Sequence, residues 1–159
     1  MCAQKAMADI YVEPYLDYGF GTINTSLGSY SLSGPYYGSK FGLEYDGFAF
    51  GLDLMLANGV TFNSNSYSGQ DFGLFVQYTM FIQMSFSYFW DARLANSNQA
   101  IAGTGYKLGI AYPLIPYLDL DLDYLAEQHS TIAAGSTNYS NYGDYTSTFL
   151  VGLSVPFSF

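Results

Sequence analysis

The stretch Tyr117-Leu118-Asp119-Leu120-Asp121-Leu122-Asp123-Tyr124-Leu125-Ala126-Glu127 decides the fold. Successive side chains of an extended chain point to opposite faces. Leu118, Leu120, Leu122, Tyr124 and Ala126 therefore share one face, and Tyr117, Asp119, Asp121, Asp123, Leu125 and Glu127 share the other. A period of two over this length is a strand with two chemically different sides.

The same period recurs along the chain. Ile10 to Gly21 sets Ile10, Val12, Pro14, Leu16, Tyr18 and Phe20 against Tyr11, Glu13, Tyr15, Asp17, Gly19 and Gly21. Phe41, Leu43 and Tyr45 then oppose Lys40, Gly42, Glu44 and Asp46, and the segment runs into Asp46-Gly47, a two-residue hairpin signal. Phe48, Phe50, Leu52, Leu54 and Leu56 oppose Ala49, Gly51, Asp53, Met55 and Ala57, and Phe72, Leu74, Val76 and Tyr78 oppose Gly73, Phe75 and Gln77. After a turn near Thr79 to Phe81, the residues Ile82, Met84, Phe86, Tyr88 and Trp90 oppose Gln83, Ser85, Ser87, Phe89 and Asp91. Tyr106, Leu108, Ile110 and Tyr112 oppose Gly105, Lys107, Gly109 and Ala111, up to a prolyl turn at Pro113 to Pro116. The last segment sets Phe149, Val151, Leu153, Val155, Phe157 and Phe159 against Thr148, Gly152, Ser154, Pro156 and Ser158.

Across these segments the first face carries no charge. Glu13, Asp17, Lys40, Glu44, Asp46, Asp53, Asp91, Lys107, Asp119, Asp121, Asp123 and Glu127 all fall on the other. A soluble barrel would hide its apolar face and expose its charges; apolar-out and polar-in is what lipid requires. Strands in hydrocarbon satisfy their backbone only by closing without edges. The expected fold is thus all-β, a closed antiparallel up-and-down eight-stranded transmembrane β-barrel formed by a single domain over residues 1–159.

Composition agrees. Half the chain is hydrophobic, 19% is aromatic and only 11% is charged, against about 25% in a soluble domain. No run approaches the roughly 18–20 apolar residues of a spanning helix. Met1-Cys2-Ala3-Gln4-Lys5 lacks the apolar core of a secretory signal, so the chain reads as a mature form with an added Met1. Cys2 is the single cysteine, which excludes an intrachain disulfide and cysteine-rich metal centres.

Residues 1–9 read as an N-terminal tail, and polar stretches near 22–37, 58–70, 92–103 and 128–145 read as long outer loops alternating with the short turns. An even strand count with this asymmetry implies outer loops outside and both termini in the periplasm. Aromatics collect at strand ends as two girdles, with Tyr45, Phe48, Tyr78, Phe81, Tyr112, Tyr117, Phe157 and Phe159 near one interface. Tyr18, Phe20, Tyr88, Trp90 and Tyr124 lie near the other.

The terminal run Val151, Leu153, Val155, Phe157 and Phe159, with an aromatic last residue, resembles the C-terminal assembly signal of bacterial outer-membrane proteins. The architecture as a whole is similar to the small OmpA, OmpX and opacity-protein type of barrel. The resemblance implies a place in the outer membrane among lipid and lipopolysaccharide, and recognition of the last strand by the outer-membrane insertion machinery. Pro14 and Pro156, which cannot donate to a ladder, point either to a weakened seam where the first and last strands meet or to frayed strand ends.

The net charge of −9 belongs to the lumen rather than the loops, which hold almost no charge. A neutral Ser, Asn, Thr and Tyr surface argues against nucleic-acid binding. Glu13, Asp17, Glu44, Asp53, Asp91, Asp119, Asp121, Asp123 and Glu127, with the bases Lys40 and Lys107 and Arg93 as a third candidate, form the expected lumen charge network. Asp119, Asp121 and Asp123 sit about 7 Å apart along one strand, too spread for the converging oxygens calcium needs, so neither metal nor cofactor is expected. An eight-stranded barrel is just wide enough to be filled by side chains such as Tyr15, Phe75 and Phe89.

Glu127, His129 and Ser130 invite comparison with a lipid A hydrolase. Ser130 would point away from the other two on a continuous strand, and the trio does not match the deacylase pattern of a His and a Ser two apart followed by Asn. The expectation is a non-catalytic, monomeric barrel with a structural or surface-interaction role through its loops, which would meet an extracellular ligand or cell-surface partner. The alternative is a narrow or gated channel for cations, protons or small solutes.

Overall fold

Each alternating segment forms a strand. The computed structural model describes residues 8–25, 28–62, 64–134 and 137–159, apart from the side chains of 132–134 and 137–142. The strands are β1 (Asp9–Thr25), β2 (Gly28–Tyr45), β3 (Phe48–Phe62), β4 (Asn65–Thr79), β5 (Gln83–Ala95), β6 (Gln99–Ile115), β7 (Leu118–Ala134), β8 (Thr137–Ser154) and β9 (Phe157–Ser158). Neighbours in sequence pair antiparallel, and β1 pairs with both β2 and β8, so the sheet closes; β9 continues the line of β8 along β1. The chain is an eight-stranded up-and-down transmembrane barrel.

Cross-strand partners can be followed from Glu13 through Lys40, Asp53, Gly73, Phe89, Gly105, Glu127 and Thr146. The path returns to β1 at Ile23. That stagger of roughly ten residues around the ring is what tilts the strands by about 35–45°.

One end of the barrel carries the chain termini and the short turns. Asp46 and Gly47 take positive φ values of 51° and 78°, the backbone a two-residue hairpin demands. The prolyl turn is centred on Pro116 and Tyr117 rather than spread over Pro113 to Pro116. β6 continues to Ile115, and the ladder slips between Pro113 and Ile115, next to a residue with no N–H to donate.

The seam keeps its register through both prolines. Tyr15 pairs with Ser154 and Val12 with Phe157, the Val155 N–H donates to the Pro14 carbonyl at 3.0 Å, and Ile10 and Phe159 exchange both backbone bonds at 2.9 and 3.1 Å. In this alternation Pro14 faces Val155 in a hydrogen-bonded pair and forfeits one bond. Pro156 falls opposite Glu13 in a non-bonded pair, where its nitrogen faces away from β1. The weakening is thus a single bond, and the ladder resumes beyond it.

The largest correction concerns the stretches read as long loops. β1 runs to Thr25 and β2 begins at Gly28, β3 and β4 reach Phe62 and Asn65, β5 and β6 reach Ala95 and Gln99, and β7 and β8 reach Ala134 and Thr137. The stretches 22–37, 58–70, 92–103 and 128–145 are therefore mostly strand, projecting as hairpins. Of the tail at 1–9, Asp9 already belongs to β1, and residues 1–7 lie outside the described residues.

The reason for the misreading is a reversal of pattern. Up to Phe20, Leu56, Phe72 and Tyr106 the outward residues are apolar and mostly exposed, Leu56 being half-buried. The next outward positions are Thr22, Asn58, Gln70 and Thr104. Inward, Ile23, Leu32, Tyr36, Val60, Tyr67, Leu94 and Ile101 are buried at this level. Beyond the lipid-facing belt the barrel is built like a soluble one.

Candidate functional site

The lumen beneath the hairpins holds stacked polar networks. Nearest the terminal end, the Glu13 carboxylate receives Lys40 Nζ at 3.0 Å, Gln83 Nε2 at 3.1 and 3.2 Å, and the Tyr11 hydroxyl. Gln77 ties this group together: its Oε1 accepts from Lys40 Nζ at 3.1 Å and its Nε2 donates to the Tyr11 oxygen at 2.5 Å. The ring of Phe75 lies 5.9 Å from that of Tyr11 and 5.9 Å from Lys40 Nζ, giving the network an apolar wall. Glu44, half-buried near the mouth, accepts from the Ser158 hydroxyl.

The next level is centred on Asp53, which has no exposure to solvent. It accepts from the Tyr15 hydroxyl at 2.8 Å and the Ser87 hydroxyl at 2.6 Å, and pairs with Lys107 Nζ at 3.1 Å. Lys107 is itself buried, and its ammonium sits 4.1 Å from the centre of the Tyr15 ring, a cation–π contact added to the ion pair. Asp123 on the neighbouring β7 and Asp17 on β1 add negative charge around Lys107. No hydrogen bond reaches either Asp17 oxygen among the described residues.

The three β7 aspartates do not behave alike. Asp119 and Asp121 are buried, Asp121 accepting from the Ser154 hydroxyl at 3.0 Å, whereas Asp123 is half-buried against Gly109. Among the described residues, no group of three His, Cys, Asp or Glu side chains is arranged as metal ligands.

Above these lies a mixed level. Tyr15, Tyr36, Phe89, Leu125 and Leu150 are buried in the main apolar cluster, together with Leu32, Met55, Val60, Tyr67 and Leu94 from the hairpins. Beside it, Asp71 accepts from the Arg93 backbone N–H at 3.3 Å, and His129 Nε2 shares a 2.6 Å hydrogen bond with the Thr146 hydroxyl. His129, in the stretch 128–145 read as a loop, is buried inside the barrel because β7 continues past it. Glu127 is buried nearby, but Ser130 is exposed on the outer face, so the three residues do not converge.

Two expected lumen charges lie elsewhere. Asp91 is on the outside, paired with Arg93 at 2.6 Å, and Arg93 is likewise exposed. The cause is a β-bulge: Phe72 pairs with Asp91 but Gly73 with Phe89, so β5 has one extra residue there. Such an insertion reverses the facing of everything beyond it. Inward Ser87 and Phe89 give way to inward Ala92 and Leu94.

Several luminal residues escaped the sequence reading. Asp71 has the parity of Gly73 and Phe75 and would have been found by extending their period one step. Gln77 and Gln83 were placed inward, but nothing in an uncharged amide marked them as the ligands of Glu13. Asp144, which is buried, lay in what read as a loop, and Thr146, also buried, lay between that stretch and the last alternating segment.

The outer face carries the aromatic and C-terminal residues named above. Tyr18, Phe20, Tyr45, Phe48, Trp90 and Tyr112 are exposed, and Tyr78 and Tyr124 half-exposed. Neighbouring rings pair across strands, Phe48 with Tyr78 at 4.4 Å and Phe72 with Trp90 at 5.0 Å. Val151, Leu153, Phe157 and Phe159 are exposed on this face, and Val155 is half-exposed.

No protein-family model matches the chain, and no curated protein matches it. Solved structures do. The chain is similar to Neisserial surface protein A, at 17% identity and a TM-score of 0.60 over 93% of this chain and 97% of that one. It is also similar to a de novo designed transmembrane β-barrel, at 12% identity and a TM-score of 0.52 over 94% and 95% of the two chains. At these identities the likeness is one of fold.

Proposed function

We propose that this chain is a closed, non-catalytic barrel of the bacterial outer membrane whose role is carried by its projecting hairpins, with termini and short turns on the periplasmic side. The observation that supports this reading best is the reversal of pattern beyond the belt. Ile23, Leu32, Val60 and Leu94 pack inward while Thr22, Asn24, Thr61 and Ser68 cover the outside. A neutral, hydrogen-bonding rim suits contact with a cell-surface or extracellular partner better than it suits catalysis.

Conduction is the weaker reading, because Tyr15, Phe89, Leu125 and Leu150 fill the lumen above the ion-paired levels. The C-terminal residues Val151 to Phe159, outward and continuous with the belt, favour recognition by the outer-membrane insertion machinery.

The test is to display the barrel on cells and charge the rim by Thr22→Lys, Thr61→Lys and Ser68→Lys, all outward, then measure adhesion to other cells and to surfaces. Adhesion should fall while the barrel still assembles. Unchanged adhesion, or steady conductance of the parent barrel in planar bilayers at neutral pH, would overturn the proposal.

A further inference from the structure

The outer wall carries a furrow that the lumen and the hairpins do not explain. Its lower part, about 800 Å³, lies within the belt over β6 and β7, walled by Phe20 and Phe149, whose rings stack at 6.2 Å, and floored by Leu108, Ile110 and Leu122. Its upper part, about 600 Å³, begins at Tyr124, which lines both, and runs past the belt's edge. Both volumes fall in the range of small-molecule sites, about 300–1,000 Å³.

The upper part exists because the outward residues Thr104, Ala126 and Ser147 are small where β6, β7 and β8 leave the belt. Tyr88, Tyr106 and Tyr145 stand around this depression, and the Tyr124 hydroxyl donates to Ser147 Oγ at 3.2 Å across it. The wall itself is irregular here. Between β7 and β8 the ladder jumps from His129–Asp144 to Thr131–Ser140, and Glu127 and Asp144 contribute to the lining beside the gap. The furrow thus changes from largely apolar, with Ser85 and Asp123 the polar residues of its lining, to aromatic and hydroxyl-rich where the outward residues change from apolar to polar.

Its charge narrows the occupant. The chain has only four Lys and Arg; Lys107 points into the lumen, Lys40 and Arg93 do not line the furrow, and Lys5 lies outside the described residues. The two ionisable groups at the head end are acidic. Those carboxyl groups, Glu127 and Asp144, are buried at the back of the wall, so a phosphate would find no cation, whereas sugar hydroxyls would find the outward Thr104 and Ser147 hydroxyls and the faces of four tyrosines.

We propose that this furrow binds one amphiphile with an acyl chain and an uncharged, polyhydroxylated head of the sugar type. The chain lies along Leu108, Ile110 and Leu122, and the head stacks among Tyr88, Tyr106 and Tyr145. The proposal needs only that the barrel sits in a membrane, and is independent of any partner of the hairpins.

The experiment uses the full chain in phosphatidylcholine nanodiscs, titrated with dodecyl maltoside, dodecylphosphocholine or dodecyl phosphate while backbone amide shifts are followed by NMR. Dodecyl maltoside should give saturable shifts centred on Thr104, Ala126 and Ser147, with affinity about tenfold above that for dodecyl phosphate. Ala126→Trp, an outward change that fills the depression, should abolish them, and Ser147→Phe is the second filling variant should the first fail to assemble. Leu52→Trp, outward on β3, should leave them intact. Equal response to the three probes, shifts spread evenly over the belt, or undiminished binding by the filled variants would refute the proposal.

Discussion

Replacing Lys107 with Met tests whether the lumen is a packed interior or a wet one. The Lys107–Asp53 pair spans 3.1 Å with both side chains at 1% exposure or less. Removing one member of a buried pair leaves the other uncompensated, at a cost of about 3–5 kcal/mol. Asp53 would keep its bonds from Tyr15 and Ser87, so Lys107→Met should fall near the lower limit, about 3 kcal/mol. Asp53→Leu should cost at least as much, since it removes the ammonium's ion-pair partner and the acceptor of two hydroxyls at about 1 kcal/mol each. The double variant Lys107→Met with Asp53→Leu removes both charges. It should be only about 1–2 kcal/mol less stable than the parent, the residue being those two hydroxyls. The cycle thus predicts a coupling of several kcal/mol, read from equilibrium urea unfolding in lipid vesicles with the emission of Trp90, the only tryptophan. Strict additivity, or single variants within about 0.5 kcal/mol of the parent, would mean that water screens the pair and that the lumen is not packed.

The exposed Asp91–Arg93 pair supplies the contrast. Asp91→Asn should change stability by less than about 1 kcal/mol, and that difference should vanish in high salt. At the seam, Pro14→Leu restores an N–H opposite Val155 and should gain about 1 kcal/mol less the entropy that proline removes from the unfolded chain. Pro156→Leu should leave the β1 seam bonding unchanged, which amide exchange of Val12 and Leu16 would register. Gly42 and Gly51 face each other across β2 and β3, and a Cβ on Gly51 would come within 2.0 Å of the Phe41 carbonyl oxygen. Gly51→Val should therefore push the strands apart and cost about 1–3 kcal/mol in the same urea assay.

How much of this was legible in the sequence depended on contrast between faces. In β7, Leu alternates with Asp, and no register but one keeps carboxylates out of lipid. In the hairpins the contrast is between Ser or Thr and an occasional Ile, Leu or Val, and its sign is opposite, so a reading tuned to apolar-out found only polar residues and inferred loops. Asp91 failed for a different reason. Parity extrapolates only until a bulge, and the extra residue of β5 has no sequence mark. β3 has its own slip, between Asn58 and Val60, after which the buried positions pass from Met55 and Ala57 to Val60. The luminal partners were legible only where they carried charge. Lys40 and Glu13 could be grouped in advance, while Gln77 and Gln83, which complete their hydrogen bonding, and Ser87, which donates to Asp53, look like any neutral inward residue.

The reversal of pattern follows from what surrounds each half of the barrel. Within lipid the outer face gains nothing by being hidden, so the interior is free to hold ion pairs that fix one register. In water the hydrophobic effect returns, and the same strands must bury apolar side chains to stay paired. The change therefore has to occur on both faces at one height, as it does between Phe20 and Thr22 outside and between Asp17 and Ile23 inside. The inward side chains of the hairpins are thereby committed to packing, each a cavity if truncated. The recognition proposed for the hairpins would fall to outward residues such as Thr22, Asn24, Ser31 and Thr61, which can change their chemistry without disturbing the core that holds them in place.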